Sequence, residues 1–128
     1  MKSKNLALAL LAASLLAACS ANQTRAGAPA MMSDGMLTGS NGMTLYVFDK
    51  DAAGSGKSMC NGPCATNWPP LYAMDGDTAS GDYSIVTRDD GKKQWAFKGK
   101  PLYFWAKDMK AGDKTGDGFN NVWHVAKP

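Results

Sequence analysis

With 128 residues and a formal net charge of +3, the chain suits one small domain, and its charge is too low to point to nucleic acid or a strongly acidic partner. All eleven acidic residues are Asp and none is Glu. Asp favours turns and caps over helix interiors, so composition alone leans away from a helical fold.

The N-terminus reads as a secretory signal over residues 1–18. Met1-Lys2-Ser3-Lys4 is short and basic, and Leu6 to Ala18 follows as a run of thirteen residues broken only by Ser14. That run is too short to span a bilayer, which takes about 20 apolar residues. It ends in Leu16-Ala17-Ala18-Cys19, which resembles a bacterial lipobox. The resemblance implies cleavage before Cys19, acylation of its thiol, and attachment to the lipid bilayer of the cell envelope. Ser20 rather than Asp after the cysteine resembles the signal for the outer membrane. Removal of Lys2 and Lys4 with the signal leaves twelve basic against eleven acidic side chains. Residues 20–33 are small and polar without an apolar period, and with Cys19 they read as a lipidated flexible linker, 19–33. The domain is then 34–128.

Within it, Met36-Leu37-Thr38, Asn41-Gly42 and Thr44 to Phe48 read as a hairpin with its turn at Asn-Gly. Tyr83 to Thr87, Asp90-Gly91 and Gln94 to Phe97 read as a second. Lys98-Gly99 turns the chain into Leu102 to Trp105, and Asn121 to Ala126 makes a last strand. Alternation sets Leu45 and Val47 against Tyr46 and Phe48, and Leu102 and Phe104 against Tyr103 and Trp105. Both faces are apolar, so these two strands are predicted to be central and covered on both sides. No segment after residue 20 shows a sustained helical period.

An internal repeat organises these elements. Gly42, Leu45, Tyr46, Phe48 and Asp51 recur as Gly99, Leu102, Tyr103, Trp105 and Asp108, at a single offset. Each copy runs on through a Gly-rich stretch to a tryptophan, Trp68 or Trp123. Two copies of one supersecondary unit, neither able to bury its apolar face alone, are the physical reading. The repeats span about 34–72 and 83–128, and the expected fold is a small all-β, antiparallel domain with pseudo-twofold symmetry.

The pattern resembles a family of small secreted bacterial proteins and lipoproteins built on repeated Tyr-x-(Phe/Trp/Tyr)-x-x-Asp motifs. The match covers roughly residues 34–128, and Cys60-x-x-x-Cys64 leading to Trp68-Pro69-Pro70-Leu71, and Trp123-His124-Val125, resemble it too. It implies no activity. The motif residues Tyr46, Phe48, Asp51, Tyr103, Trp105 and Asp108 are read as structural. Each Asp follows a strand at a turn, where it can accept backbone N–H groups, and each Tyr sets a phenol at the core edge.

Acylation leaves Cys60 and Cys64, four apart around Asn-Gly-Pro, and a disulfide is the default outside the cytosol. Closing so short a loop contributes about 2 kcal/mol. The sharper alternative is a periplasmic copper or thiol-redox site. Cys60, Cys64 and the single histidine, His124, resemble the ligand set of Sco-type copper chaperones, with Met59 or Met109 as a soft extra ligand. Against it stands the lack of alternating strands and helices. Asp51 to Ser58 lacks the first Gly of a P-loop, and Asp113 to Gly118 imitates an EF-hand but reaches His124 where Glu is needed. The single histidine has no Ser or Cys motif around it, so the chain reads as a non-enzymatic binding or interaction module without cofactor. An envelope protein or small ligand, besides the bilayer, is its expected partner.

Overall fold

The computed structural model describes residues 28–128. The signal of residues 1–18, Cys19 and most of the linker lie outside the described residues. The chain first forms β1, Met31–Ser33, which turns through Asp34-Gly35 into β2, Met36–Thr38, with Met32 opposite Leu37. Both turn residues have positive φ, 52° and 77°, the pair that a two-residue type I′ hairpin requires and that Asp-Gly adopts readily. This corrects the linker boundary at residue 33. Ala30 is buried with Leu37, Leu45, Leu102 and Ala126, and that burial draws the preceding residues into the domain.

β3, Tyr46–Phe48, pairs antiparallel with β7, Trp123–Val125. β4, Tyr83–Thr87, β5, Lys93–Phe97, and β6, Lys100–Pro101, form a three-stranded antiparallel sheet. Its Lys98-Gly99 turn falls where the sequence places it. Leu102 to Trp105 is less regular than expected, bridging Tyr46 and Pro70 through Tyr103 alone.

The pseudo-twofold runs between Tyr46 and Tyr103, whose backbones exchange N–H···O bonds of 2.7 and 3.0 Å. Around it the hydrogen bonds come in matched sets. Leu45 N–H donates to Leu37 O (3.0 Å), Ala126 N–H to Leu45 O (2.8 Å) and Leu37 N–H to Ala126 O (2.9 Å). In the other half Leu102 N–H donates to Trp95 O (2.9 Å), Leu71 N–H to Leu102 O (2.9 Å) and Trp95 N–H to Leu71 O (2.8 Å). One unit is thus used twice, each copy closing the sheet of the other.

The predicted alternation sorts the core into two layers. Tyr46, Phe48, Tyr103 and Trp105 pack with Trp68 and Trp123 on one side. Leu45, Val47, Leu102 and Phe104 pack with Leu37, Leu71 and Ala126 on the other. Leu45, Tyr46, Leu102 and Tyr103 have no exposed surface, as strands covered on both faces require. Two helical pieces interrupt the β architecture: α1, Pro63–Asn67, and a 3-10 turn, Phe119–Asn121. Five residues are too few to show a helical period, and Pro63 at the first turn fits because its missing N–H has no partner there anyway.

Candidate functional site

The residues singled out by the motif meet at the pseudo-twofold, but not within their own repeats. Tyr46 Oη donates to Asp108 Oδ2 at 2.7 Å, and Tyr103 Oη to Asp51 Oδ2 at 2.5 Å. Each phenol therefore pairs with the carboxylate of the other copy. The second oxygen of each Asp gathers the loop that follows it. Asp51 Oδ1 accepts the Met59 N–H at 2.6 Å, while Asp108 Oδ1 accepts the Thr115 N–H at 3.0 Å and hydroxyl at 2.6 Å. The carboxylates are placed by equivalent turns, Asp51 N–H to Phe48 O and Asp108 N–H to Trp105 O, 3.0 and 3.1 Å. The phenols lie in the interior rather than at the core edge.

Four aromatic rings stack across the same axis. Trp68 and Trp123 lie face to face at the centre, 3.8 Å apart and 2° from parallel. Trp105 stacks outside Trp68 at 4.0 Å and Phe48 outside Trp123 at 4.3 Å. Tyr46 meets Trp68 edge-on at 5.3 Å, and Tyr103 meets Trp123 likewise at 5.1 Å. Edge contacts of this kind contribute about 0.5–1.5 kcal/mol each beyond area burial. Gly116 is required beside the column, since a Cβ there would fall 2.7 Å from the Trp68 ring and 3.0 Å from that of Trp105. Its N–H donates to Tyr46 Oη at 3.2 Å.

The halves diverge behind the phenols. Tyr103 spends its proton on Asp51, so the Ser58 hydroxyl donates to the Tyr103 oxygen at 2.6 Å. Ser58 Oγ in turn accepts from the buried guanidinium of Arg88 at 2.9 Å. Arg88 also donates to Gln94 Oε1 at 2.7 Å and to the Cys60 carbonyl at 2.5 Å, and Gln94 Nε2 donates to Leu102 O at 2.7 Å. The Arg88 Nε is buried without a partner among the described residues. Arg88 escaped the sequence reading because nothing marks one arginine at a strand end as buried.

Burial, reinforced by the hydrogen bonds to Asp51 and Asp108, holds the Tyr103 and Tyr46 phenols far above their usual range. Burial also raises the Asp51 carboxyl above its ordinary 3.8, against the pull of the Tyr103 hydroxyl, the Met59 amide and the Arg88 charge. Phenols so held are poor acids at neutral pH, and both carboxylates already accept several hydrogen bonds. The arrangement is built to hold two halves together.

Cys60 and Cys64 are bonded to each other, with Cα atoms 5.2 Å apart, and the bridge encloses the start of α1. His124 is half-buried on β7, where Nε2 lies 2.8 Å from Asp49 Oδ2. Among the described residues no group of three or more His, Cys, Asp or Glu is placed to hold a metal ion. Met59 and Met109 stand out in solvent, 62% and 85% exposed. The soft ligands that sequence reading grouped are thus not gathered into one cluster. Nor is any helix among the described residues long and apolar enough to cross a membrane.

Fold and motif together define a tandem-repeat β domain whose copies interlock through their own signature residues. The chain belongs to a family of secreted repeats of unknown function, whose model matches it twice, over residues 30–72 and 84–127. No curated protein and no solved structure matches the chain.

Proposed function

We propose that the chain is a bacterial envelope lipoprotein, held to the outer membrane through acylated Cys19, whose domain is a non-enzymatic binding module. The anchor is supported by Leu16-Ala17-Ala18-Cys19 and by membership of a family of secreted repeats. Two or more acyl chains give the stable attachment that one does not. One observation carries the module reading: the recurring polar groups, Tyr46 with Asp108 and Tyr103 with Asp51, are consumed by each other in the interior. What recurs is frame, and recognition falls to the surface that differs between the copies. That surface includes exposed Tyr72, Met74, Met109 and Phe119.

Metabolic labelling with a fatty acid tests the anchor. Wild type takes the label and stays in the membrane fraction, whereas Cys19→Ala is unlabelled and released. Equal labelling of both would exclude acylation at Cys19. For the module, Asp51→Asn and Asp108→Asn should lose function only as far as they lose melting temperature. A variant that melts like wild type yet reproduces the phenotype of a deletion would show that the motif carries chemistry.

A further inference from the structure

The repeat makes the domain its own control, because most surface positions in one half have a counterpart in the other. One cleft of about 410 Å3 breaks the equivalence. Its apolar floor is lined by Val47 and Phe97 with the buried Ala126, and Lys98, Lys100, Lys127 and His124 line its rim. The one side-chain carboxylate among its lining residues, Asp49, is engaged with the His124 ring at 2.8 Å, and the C-terminal residue Pro128 lines the cleft as well. Among the described residues none of the three ammoniums has a carboxylate within ion-pair distance.

The counterparts are uncharged. The register that pairs Tyr46 with Tyr103 sets Asn41 against Lys98, Met43 against Lys100 and Ala106 against Asp49. The register that pairs Trp68 with Trp123 sets Pro69 against His124 and Tyr72 against Lys127. The scaffold therefore folds without a charge at any of these places, and the cationic rim belongs to one copy alone.

Volume is divided in the same way. Val47 corresponds to Phe104, whose ring lies so close over Gly39 that a Cβ there would fall 2.8 Å from it. The large ring packs down onto the backbone in one half. In the other the smaller Val47 lines an open cleft.

Lys98 adds a conformational argument. It sits at φ 51°, followed by Gly99 at 82°, in a two-residue hairpin turn like that of Asp34-Gly35. The left-handed conformation costs an ordinary L-residue about 1–2 kcal/mol, and Asn or Asp tolerates it better. A lysine kept there brings its ammonium to 5.4 Å over the Phe97 ring of the cleft at the expense of the turn, which is the direction in which backbone strain points to function.

We propose that this cleft binds an amphipathic phosphate monoester, its apolar body on Val47, Phe97 and Ala126 and its phosphate among Lys98, Lys100, Lys127 and His124. The volume is that of a small-molecule site. Flexible ammoniums act as point charges that suit a phosphate, and among the described residues no guanidinium fork lines the cleft to select a planar carboxylate. The inference rests on the reading of the domain as a binding module and names its ligand class.

The test is calorimetric titration of the purified full chain in nonionic detergent with 1-naphthyl phosphate at low salt. Inorganic phosphate and 1-naphthol serve as the two half-ligands. Naphthyl phosphate should bind at least about tenfold more tightly than either, since it alone meets both floor and rim. Copying the other half into the cleft separates the two contributions. Lys98→Asn with Lys100→Met should weaken naphthyl phosphate by about tenfold or more, with the melting temperature unchanged or raised by relief of the turn. Val47→Phe should abolish the advantage of naphthyl phosphate over inorganic phosphate. Displacement by monomeric dihexanoyl phosphatidic acid below the concentration needed of naphthyl phosphate would identify a lipid headgroup as the source. Weaker displacement would identify a soluble ester. Naphthyl phosphate binding no better than inorganic phosphate, or undiminished in the double lysine variant, overturns the proposal. The acylation and melting tests are independent of this titration, so its failure leaves the anchored-module reading standing.

Discussion

The Tyr46–Asp108 and Tyr103–Asp51 pairs make the same bond and are supported differently. Asp108 is wrapped by the backbone and hydroxyl of Thr115, and Gly116 caps the Tyr46 oxygen, so that half is closed by local turns. Tyr103 is backed by Ser58, Arg88 and Gln94, and the loop above it carries the Cys60–Cys64 bridge. A duplicated unit thus keeps the contact that joins its copies and is free to vary what lies behind it. The variable part also carries the greater risk, because a buried cation must keep all its partners.

The comparison is broken most severely by truncating the phenols. Tyr46→Ala and Tyr103→Ala should each cost about 3–5 kcal/mol, as for other large buried aromatics. Tyr103→Ala should be the worse of the two, since it also strands Ser58 and disturbs Arg88. Denaturant unfolding of both variants reads the difference, and an equal loss would mean that the Arg88 network adds nothing to its half.

Arg88→Met sharpens the same point. It leaves Gln94, Ser58 and the Cys60 carbonyl short of a donor, at a cost of about 2–3 kcal/mol. Hydrogen exchange should locate the damage. The Met59 amide, held by Asp51, should lose protection, while the Thr115 amide, held by Asp108, should keep it. Parallel loss at both amides would show that the halves are not separable.

The smallest effect is in pH. A carboxyl whose folded pKa is raised binds its proton more tightly in the native state. It therefore adds stability that is fully present below its ordinary 3.8 and is lost as pH rises through the raised value. Relative to Asp51→Asn, wild type should thus lose stability as pH is raised from about 3 to about 7. Thermal unfolding of the two proteins across that range checks the sign, and a wild-type advantage that grows with pH would place the Asp51 pKa below its ordinary value.

Much of the fold was legible because its signals are local. Alternation at Leu45–Phe48 and Leu102–Trp105 assigned each side chain to one of two core layers, since successive strand residues must point opposite ways. The fixed offset between the copies announced the twofold. The strand at Met31–Ser33 was not legible, because three exposed residues carry no alternation and only the packing of Ala30 draws them in. The exchange of tyrosine partners was hidden as well. Tyr and Asp lie five apart in each copy and read as one local motif, whereas the symmetry operator delivers each Asp to the other copy's Tyr.

The sequence by itself determined what depends on residue type and spacing: an all-β chain, two copies of one unit, a short cysteine pair, and an apolar N-terminal run that reaches Leu16-Ala17-Ala18-Cys19. Tertiary structure alone decided what depends on closure. It buried Arg88 behind Tyr103, stacked Trp68 on Trp123, and gathered Val47, Lys98, Lys100 and Lys127 around one cleft. The reason is that spacing fixes the direction of a side chain within its own strand. Which groups meet across the domain is settled by the symmetry of packing, and by the few places, such as Val47 against Phe104, where that symmetry is broken.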